Sequence, residues 1–347
     1  MKEIRKILEK RKIKASAPCR IDSGGTWDIK AMAISFEKIK PTTVNIALDL
    51  RTYVEILPFE EGKIKISSEG FETEVFSYSN IRFDSPYGIF LSAIRHFGFH
   101  GIEVRISSEF PPQSALGGSS TALVALIKAL SKIKKLLDGK SLSKRQILHL
   151  SYHIEDAISG GNCGAQDQGA GIYGGVNQWI WTYSRPYFCK RIKLLDKTDL
   201  DELSERILVA YSGIRHQSSS INRSWIEDFL SGKTQKGWIK VNEVVHRFAD
   251  SLKRKEWSEA IRWLNEEVAI RKEITPSAFI PVTEKLIDDA VRLRCGARFS
   301  GAGAGGSVWA IGEPENIRKL KETWKDTLSS IKDARIFECR VDGKGLV

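Results

Sequence analysis

The chain has 347 residues, of which 41% are hydrophobic and 28% charged, and its formal net charge is +11. That length exceeds one ordinary domain and suits two packed domains with a cleft, and the composition excludes a disordered chain. A basic surface attracts nucleic acid, nucleotides, sugar phosphates or acidic membranes, but Lys and Arg are spread along the chain rather than massed in one tail, so most of them read as a solvated surface.

Residues 2–14 are basic but mixed with Glu3 and Glu9 and have no apolar h-region. They read as an amphipathic lead-in helix rather than a signal peptide, with membrane binding the weaker alternative. Over 44–56, Val44, Ile46, Leu48, Leu50, Thr52, Val54 and Ile56 share one face, while Asn45, Asp49, Arg51 and Glu55 share the other. Period 2 predicts a long half-buried strand; 63–67 and 102–107 read as strands of the same sheet. Residues 122–137 predict a helix closed by lysines and Gly139. Ser143 and Gln146 form a capping box for the next helix, Leu142 and Ile147 its staple, and Ile147, Leu150, Ile154 and Ile158 its buried stripe. Strands are predicted over 172–181 and 206–211, mostly helix over 221–293, a short strand at 308–311, a helix over 314–331 opened by Pro314, and a last strand at 335–341. Strands and helices without strict βαβ alternation indicate α+β, with a boundary near 185–205.

The five cysteines (Cys19, Cys163, Cys189, Cys295 and Cys339) are odd in number and include no CxxC pair. That argues against a disulfide framework or zinc knuckle and fits a reducing cytoplasm. No apolar stretch reaches the roughly 18 residues that a membrane span needs.

Three segments concentrate glycine and small polar residues. Pro111-Pro112-Gln113-Ser114-Ala115-Leu116-Gly117-Gly118-Ser119-Ser120-Thr121 follows a strand and opens an apolar helix. Unpaired N–H groups and the dipole at a helix start favour phosphate, and small residues let it approach. A plain serine N-cap would need neither two glycines nor three hydroxyls. Gly160-Gly161-Asn162-Cys163-Gly164-Ala165-Gln166-Asp167-Gln168-Gly169-Ala170-Gly171 sets one carboxylate among small residues; taken alone, an Asx-turn explains it better. In Arg298-Phe299-Ser300-Gly301-Ala302-Gly303-Ala304-Gly305-Gly306-Ser307, glycines match G-x-G-x-x-G, but a strand follows where a dinucleotide fold needs a helix. A backbone that closely approaches something remains. Gly139-Lys140-Ser141 and Gly232-Lys233-Thr234 lack the earlier glycine of a Walker loop.

These segments, preceded by Ala17-Pro18-Cys19-Arg20-Ile21-Asp22-Ser23-Gly24-Gly25-Thr26-Trp27-Asp28, occur in an order that resembles the GHMP kinases. The resemblance spans nearly the whole chain, and the first motif looks closest to the fucokinase and heptose-phosphate kinase branch. It implies an α+β, two-domain fold, with a ribosomal S5 domain 2-like domain over 1–195 and a ferredoxin-like domain over 196–347. It also implies ATP and Mg²⁺, with a sugar or sugar-phosphate acceptor, in a cytoplasmic monomer or homodimer that binds neither nucleic acid nor membrane. By the same resemblance Asp167 is the base and Arg20 the cation near the transferred phosphoryl group. Pro112, Leu116, Gly117, Gly118, Ser119, Ser120 and Thr121 would hold the ATP phosphates, and Ser119, Ser120 and Glu155 the metal. Asp22, Gly25, Thr26, Trp27, Asp28, Gly164, Arg215, Gly301 and Gly303, with Asp167, would contact the acceptor. Two departures stand out. Ser114 and Leu116 fall near positions where the family usually has glycine, and Lys40-Pro41-Thr42-Thr43 stands where a Gly-Gly pair is frequent.

Other readings carry less. His149 and His153 have metal-pair spacing but no third ligand, so two ordinary helix histidines are expected. His216 is either a substrate contact or a surface residue. Of the nine tryptophans, Trp179, Trp181, Trp225, Trp257 and Trp263 are expected in packing, with Trp27 the exception as part of the first motif. No nucleic-acid-binding module is present. A kinase-fold regulator without turnover, or a kinase for a mevalonate- or homoserine-like alcohol, is the alternative function.

Overall fold

The computed structural model describes residues 2–216 and 218–347, with backbone alone at 218–220. In chain order the first elements are α1 (Lys2–Lys10), β1 (Ile13–Ser23), α2 (Lys30–Ala33), a 3-10 turn (Ile34–Ile39), β2 (Thr42–Pro58), β3 (Lys63–Ser68) and β4 (Glu74–Ser77). Then come α3 (Gly88–Phe97), β5 (Ile102–Ser108), α4 (Gly118–Asp138), α5 (Lys144–Ile158), α6 (Gln166–Tyr173), β6 (Val176–Trp181) and β7 (Cys189–Lys193). The remainder is α7 (Asp199–Ser204), β8 (Ile207–Tyr211), α8 (Ser218–Leu230), α9 (Gln235–Arg254), α10 (Trp257–Ile274), α11 (Pro281–Arg292), β9 (Gly296–Phe299), β10 (Ser307–Ile311), α12 (Pro314–Leu328) and β11 (Arg335–Phe337).

The strands form two sheets. The first has the order β4-β3-β5-β2-β6-β7, with β1 also paired to β2, and only β3 and β5 run parallel. The second, β11-β8-β10-β9, is wholly antiparallel. Numbered within itself, that order is 4-1-3-2, the ferredoxin-like arrangement, and the fold is α+β as expected. Among the described residues no helix is long and apolar enough to cross a membrane, and all five cysteines are free.

Several elements differ from the sequence reading for physical reasons. The lead-in helix stops at Lys10, burying Ile4 and Leu8, and β1 begins at Ile13. In β2 the alternation holds only from Thr52 onward, because residues 42–48 are buried on both faces and α9 packs against the strand. The Ser143 capping box is present, but the buried stripe of α5 is Ile147, Leu148, Ser151, Tyr152 and Asp156. Ile158 is exposed instead. Residues 172–181 are not one strand: α6 runs to Tyr173, and Gly174 and Gly175, both at positive φ, turn the chain into β6. The strands β4, β7 and β9 are too short to show a period and were not predicted; helix α3 was not predicted either, although Phe90, Leu91 and Ile94 keep helical spacing on its buried face.

The helix α4 is central. Residues 120–127 are buried on every side, and the helix packs on β1, β2, α3, α5 and α6. Burial all round explains its apolar composition and fixes its N-terminus beside β1, where Leu116 accepts a hydrogen bond from the Arg20 backbone N–H (3.2 Å).

Candidate active site

A cleft of about 570 Å³ runs along the N-terminus of α4, a volume in the range of small-molecule sites. One end is lined by Phe71, Tyr87, Phe90 and Phe110, the middle by residues 111–115, 117–120 and Glu155, and the other end by Arg20, Asp28, Asp167, His216, Asn222 and Gly301.

Arg20 and Asp167 form the centre. Arg20 lies on β1, Asp167 in the first turn of α6, and their side chains meet in a two-point pair: Nε to Oδ1 at 2.7 Å and Nη2 to Oδ2 at 3.0 Å. Arg20 Nη1 donates to the Ala115 carbonyl (2.7 Å) and to Ser300 Oγ (2.9 Å). The guanidinium thus joins the first motif, the second motif and the third. Burial would lower the pKa of Arg20, yet Asp167 and then Asp22 raise it above its ordinary value, so the charge is held firmly. Asp167 is not on a loop, as the sequence suggested, but on a helix, where its backbone is fixed.

The second motif makes a tight turn into α4. Gln113, Ala115 and Gly117 have left-handed φ values of 59, 61 and 79°. Gln113 and Ala115 carry the left-handed strain, while Ser114 and Leu116, the residues near the family's usual glycines, are buried. Gly117 is required twice over, because a Cβ there would also lie 3.0 Å from Asp167 Oδ2. The first N–H groups of α4 have no side-chain cap. Ser120 Oγ donates to Glu155 (2.8 and 3.0 Å), Ser119 Oγ does so at 3.4 Å, and Gln168 Nε2 donates at 2.6 Å. Burial, with Asp167 nearby, pushes Glu155 up to about 7 despite those bonds.

At the far end Asp28 is buried and accepts from the backbone N–H groups of Thr26 and Gln166, both at 3.1 Å. Burial and then the charge of Asp167 raise its pKa to about 7. Gly164 allows this approach: a Cβ there would sit 1.7 Å from Asp28 Oδ2. His216 is buried and donates from Nδ1 to the Gly303 carbonyl; burial lowers its pKa, which favours a neutral ring. Gly25, Thr26 and Gly301 also line this end.

Of the expected residues, Arg20, Gly25, Thr26, Asp28, Pro112, Gly117, Gly118, Ser119, Ser120, Glu155, Gly164, Asp167 and Gly301 face one cleft. Six do not. Trp27 is fully buried, donates from Nε1 to the Trp238 carbonyl (3.0 Å) and packs edge-on against Phe229 and Trp238, so it is core like Trp179, Trp181, Trp225 and Trp257, while Trp263 is partly buried. Asp22 has no exposed side-chain surface and is spent on Arg298 and the Gly301 N–H, leaving nothing to grip an acceptor. Leu116 is core, and Thr121 is buried with its hydroxyl bonded to the Gly117 and Gly118 carbonyls. Arg215 is exposed and outside the lining. Gly303 only offers its carbonyl to His216. The sequence reading assigned no role to Ser300, Asn222 or Gln166, or to the aromatic end. Ser300 lies in the third Gly-rich segment and Gln166 in the second, which were usable signals; Asn222 and Phe71 lie in segments with none. His149 and His153 stack on α5 with ring centroids 4.3 Å apart, and among the described residues no cluster of three metal-ligating side chains exists.

Residues 85–175 match the family model described as GHMP kinases N terminal domain. Over 331 residues the chain is 23% identical to a D-glycero-alpha-D-manno-heptose 7-phosphate kinase of Campylobacter jejuni subsp. jejuni, covering 92% of this chain and 95% of that relative. It is 31% identical over 170 residues to a mevalonate kinase of Pyrococcus abyssi, covering 44% of this chain and 47% of the other. In fold it is similar to the crystal structure of Methanococcus jannaschii mevalonate kinase, with a TM-score of 0.73, 19% identity and coverage of 96% and 99% of the two chains.

Proposed function

We propose that the chain is a small-molecule kinase of the GHMP type, which transfers the γ-phosphoryl group of ATP to a hydroxyl of a sugar or sugar phosphate. The observation that carries this reading is the two-point Arg20–Asp167 pair set beside the N-terminus of α4 in one cleft. Phosphoryl transfer asks for positioning and charge stabilisation more than for covalent chemistry. The N–H groups of Gly118, Ser119 and Ser120 receive the nucleotide phosphates. Arg20 directs positive charge at the group in flight. Asp167 orients the acceptor hydroxyl and takes its proton as oxygen attacks phosphorus and ADP leaves. Asp28, with Thr26 and the Gly164 backbone, holds other hydroxyls of the acceptor. The aromatic end, Phe71 with Tyr87, suits the base. Residues 1–195 and 196–347 would be the two domains.

Glu155, Ser119 and Ser120 fit Mg²⁺. Both hydroxyls lie within 3.4 Å of the Glu155 carboxylate, and a buried carboxylate gains from a cation beside it. Mg²⁺ bound there supplies charge neutralisation for the phosphates. The same residues hold the α4 N-terminus in place through the Ser120–Glu155 bonds.

The sugar branch is favoured by the heptose 7-phosphate kinase relative, whose match covers 92% of this chain, against 76% for a mevalonate kinase of Thermococcus sibiricus and 44% for that of Pyrococcus abyssi, which is more identical over its shorter span. A mevalonate-like acceptor is the second reading, supported by that higher local identity. A coupled ADP-release assay with Mg·ATP against L-fucose, galactose, mannose, heptose 7-phosphate, mevalonate and homoserine separates them. Release with a sugar well above the no-acceptor rate supports the proposal; release with mevalonate or homoserine alone replaces the acceptor class; silence with all of them, ATP still binding, favours a regulator.

A further inference from the structure

Behind the cleft Glu267, Arg298 and Asp22 form a fully buried ion network, and the proposed reaction gives Glu267 and Arg298 no part. Glu267 on α10 accepts from Arg298 Nε (2.9 Å), Ser23 Oγ (2.6 Å) and the Gly24 N–H (3.2 Å). Arg298 on β9 donates through Nη1 to Asp22 Oδ2 (3.0 Å) and to the carbonyls of Asp22 (3.2 Å) and Phe299 (2.6 Å). The other Asp22 oxygen accepts from the Gly301 N–H (2.7 Å) and lies 3.6 Å from Arg20 Nη1. Ser300 Oγ bridges the two, accepting from Arg20 at 2.9 Å and donating to Asp22 at 3.4 Å. Neither Glu267 nor Arg298 has any exposed side-chain surface. With Arg271, stacked on Trp225 and Trp238 at 4.5 and 4.4 Å, the guanidinium groups of Arg20, Arg271 and Arg298 balance the carboxylates of Asp22, Asp167 and Glu267.

Ionic groups this deep are a poor way to gain stability, since packed apolar residues would do as well. What a chain of charge-assisted, two-point bonds adds is direction. Here the direction is specific: Glu267 and Arg298 grip three consecutive residues, 22–24. On one side of that grip is Arg20 and on the other the turn carrying Thr26 and Asp28.

We propose that Glu267 and Arg298 are positioning residues, which fix Asp22 and thereby the angle at which Arg20 meets Asp167 and the transferred phosphoryl group. The inference rests on the kinase reading of Arg20 and Asp167. It assigns the second sheet and α10 a part in the chemistry, through residues that touch neither ligand.

The test compares the parent with the charge-balanced double variant Glu267→Gln, Arg298→Met and with the conservative Arg298→Lys, under saturating acceptor. A misplacement near 1 Å costs about 10²-fold in rate, so kcat of the double variant should fall about that far, while KM for ATP stays within about threefold because the α4 N-terminus is untouched. Arg298→Lys, which keeps a charge facing Asp22, should recover about tenfold of the loss. A purely structural role would instead lower the thermal midpoint and move kcat and both KM values together, or leave a folded variant with kcat within about twofold of the parent; either outcome overturns the inference. If the double variant lacks a cooperative thermal transition, Glu267→Gln alone decides, since it keeps the Arg298–Asp22 contact. A kcat about tenfold down supports the proposal, and an unchanged kcat overturns it. A parent chain that releases no ADP with any acceptor removes the kinase reading and this inference together.

Discussion

Asp167→Asn keeps the size of the side chain and removes its charge. In the parent, both carboxylate oxygens accept from Arg20, at 2.7 and 3.0 Å. Asn presents one oxygen and one amide, so one contact becomes N–H facing N–H, while Arg20 keeps the contact to the Asn oxygen, the Ala115 carbonyl, Ser300 Oγ and the nearby charge of Asp22. The Asp167 side chain is 22% exposed, so water relieves part of the loss, and the stability cost should be about 1–3 kcal/mol rather than that of a sealed pair. Loss of the proton acceptor should lower kcat by about 10²–10⁴, or about 3–5 kcal/mol in barrier height. ATP affinity should hold within about threefold, because the phosphate-facing backbone of α4 is unchanged. A second readout follows from electrostatics. The charge of Asp167 contributes to raising both Asp28 and Glu155 to about 7, so the variant should lower both values. The assays are ADP release, an ATP-binding titration and carboxyl-carbon NMR against pH. A kcat within tenfold of the parent would remove Asp167 as the base, and unmoved Asp28 and Glu155 titrations would refute the electrostatic coupling.

Gly164→Ala places a Cβ 1.7 Å from Asp28 Oδ2, so Asp28 must swing away from the Thr26 and Gln166 N–H groups. KM for the acceptor should rise about tenfold or more, as expected for lost hydrogen bonds to a charged group, with KM for ATP unchanged; a rise in the ATP value instead would contradict the placement of the acceptor. The folded-state pKa of Asp28 stands near 7 against an ordinary 3.8, so the native state binds more protons than the unfolded chain between those values. Stability therefore falls as pH rises from about 4 to about 7 and levels off above it. Asp28→Asn should flatten that decline in ligand-free protein, seen as a smaller drop in Tm between pH 5 and pH 8; an equal drop in parent and variant would show that Asp28 is not the group responsible.

What the sequence made legible was the chemistry that sits in short motifs. Arg20, the 117–120 turn, Glu155 and Asp167 are recognisable because each requires a residue type at a fixed place beside a helix start or strand end. Side-chain direction was less readable. Arg20 and Asp22 are two apart on β1 and share a face, yet one reaches the cleft and the other turns to Arg298. Trp27, between two lining residues, points into the core because the chain turns there. On α5 the apolar spacing suggested Leu150, Ile154 and Ile158, but the face that packs includes Tyr152 and Asp156, which neighbouring aromatics and Lys30 accommodate. Glu267 and Arg298 were invisible for a different reason. They lie 31 residues apart in chain segments with no motif in common, and only the second sheet brings them together.

The most direct test of the central claim is to follow phosphorus itself. In ³¹P NMR of the parent chain with Mg·ATP and the sugar panel, loss of the γ-phosphate signal should be matched by a new phosphate-ester resonance on one acceptor, and Asp167→Asn should show neither. Orthophosphate alone, or no change with every sugar while a non-sugar alcohol is esterified, would contradict the account.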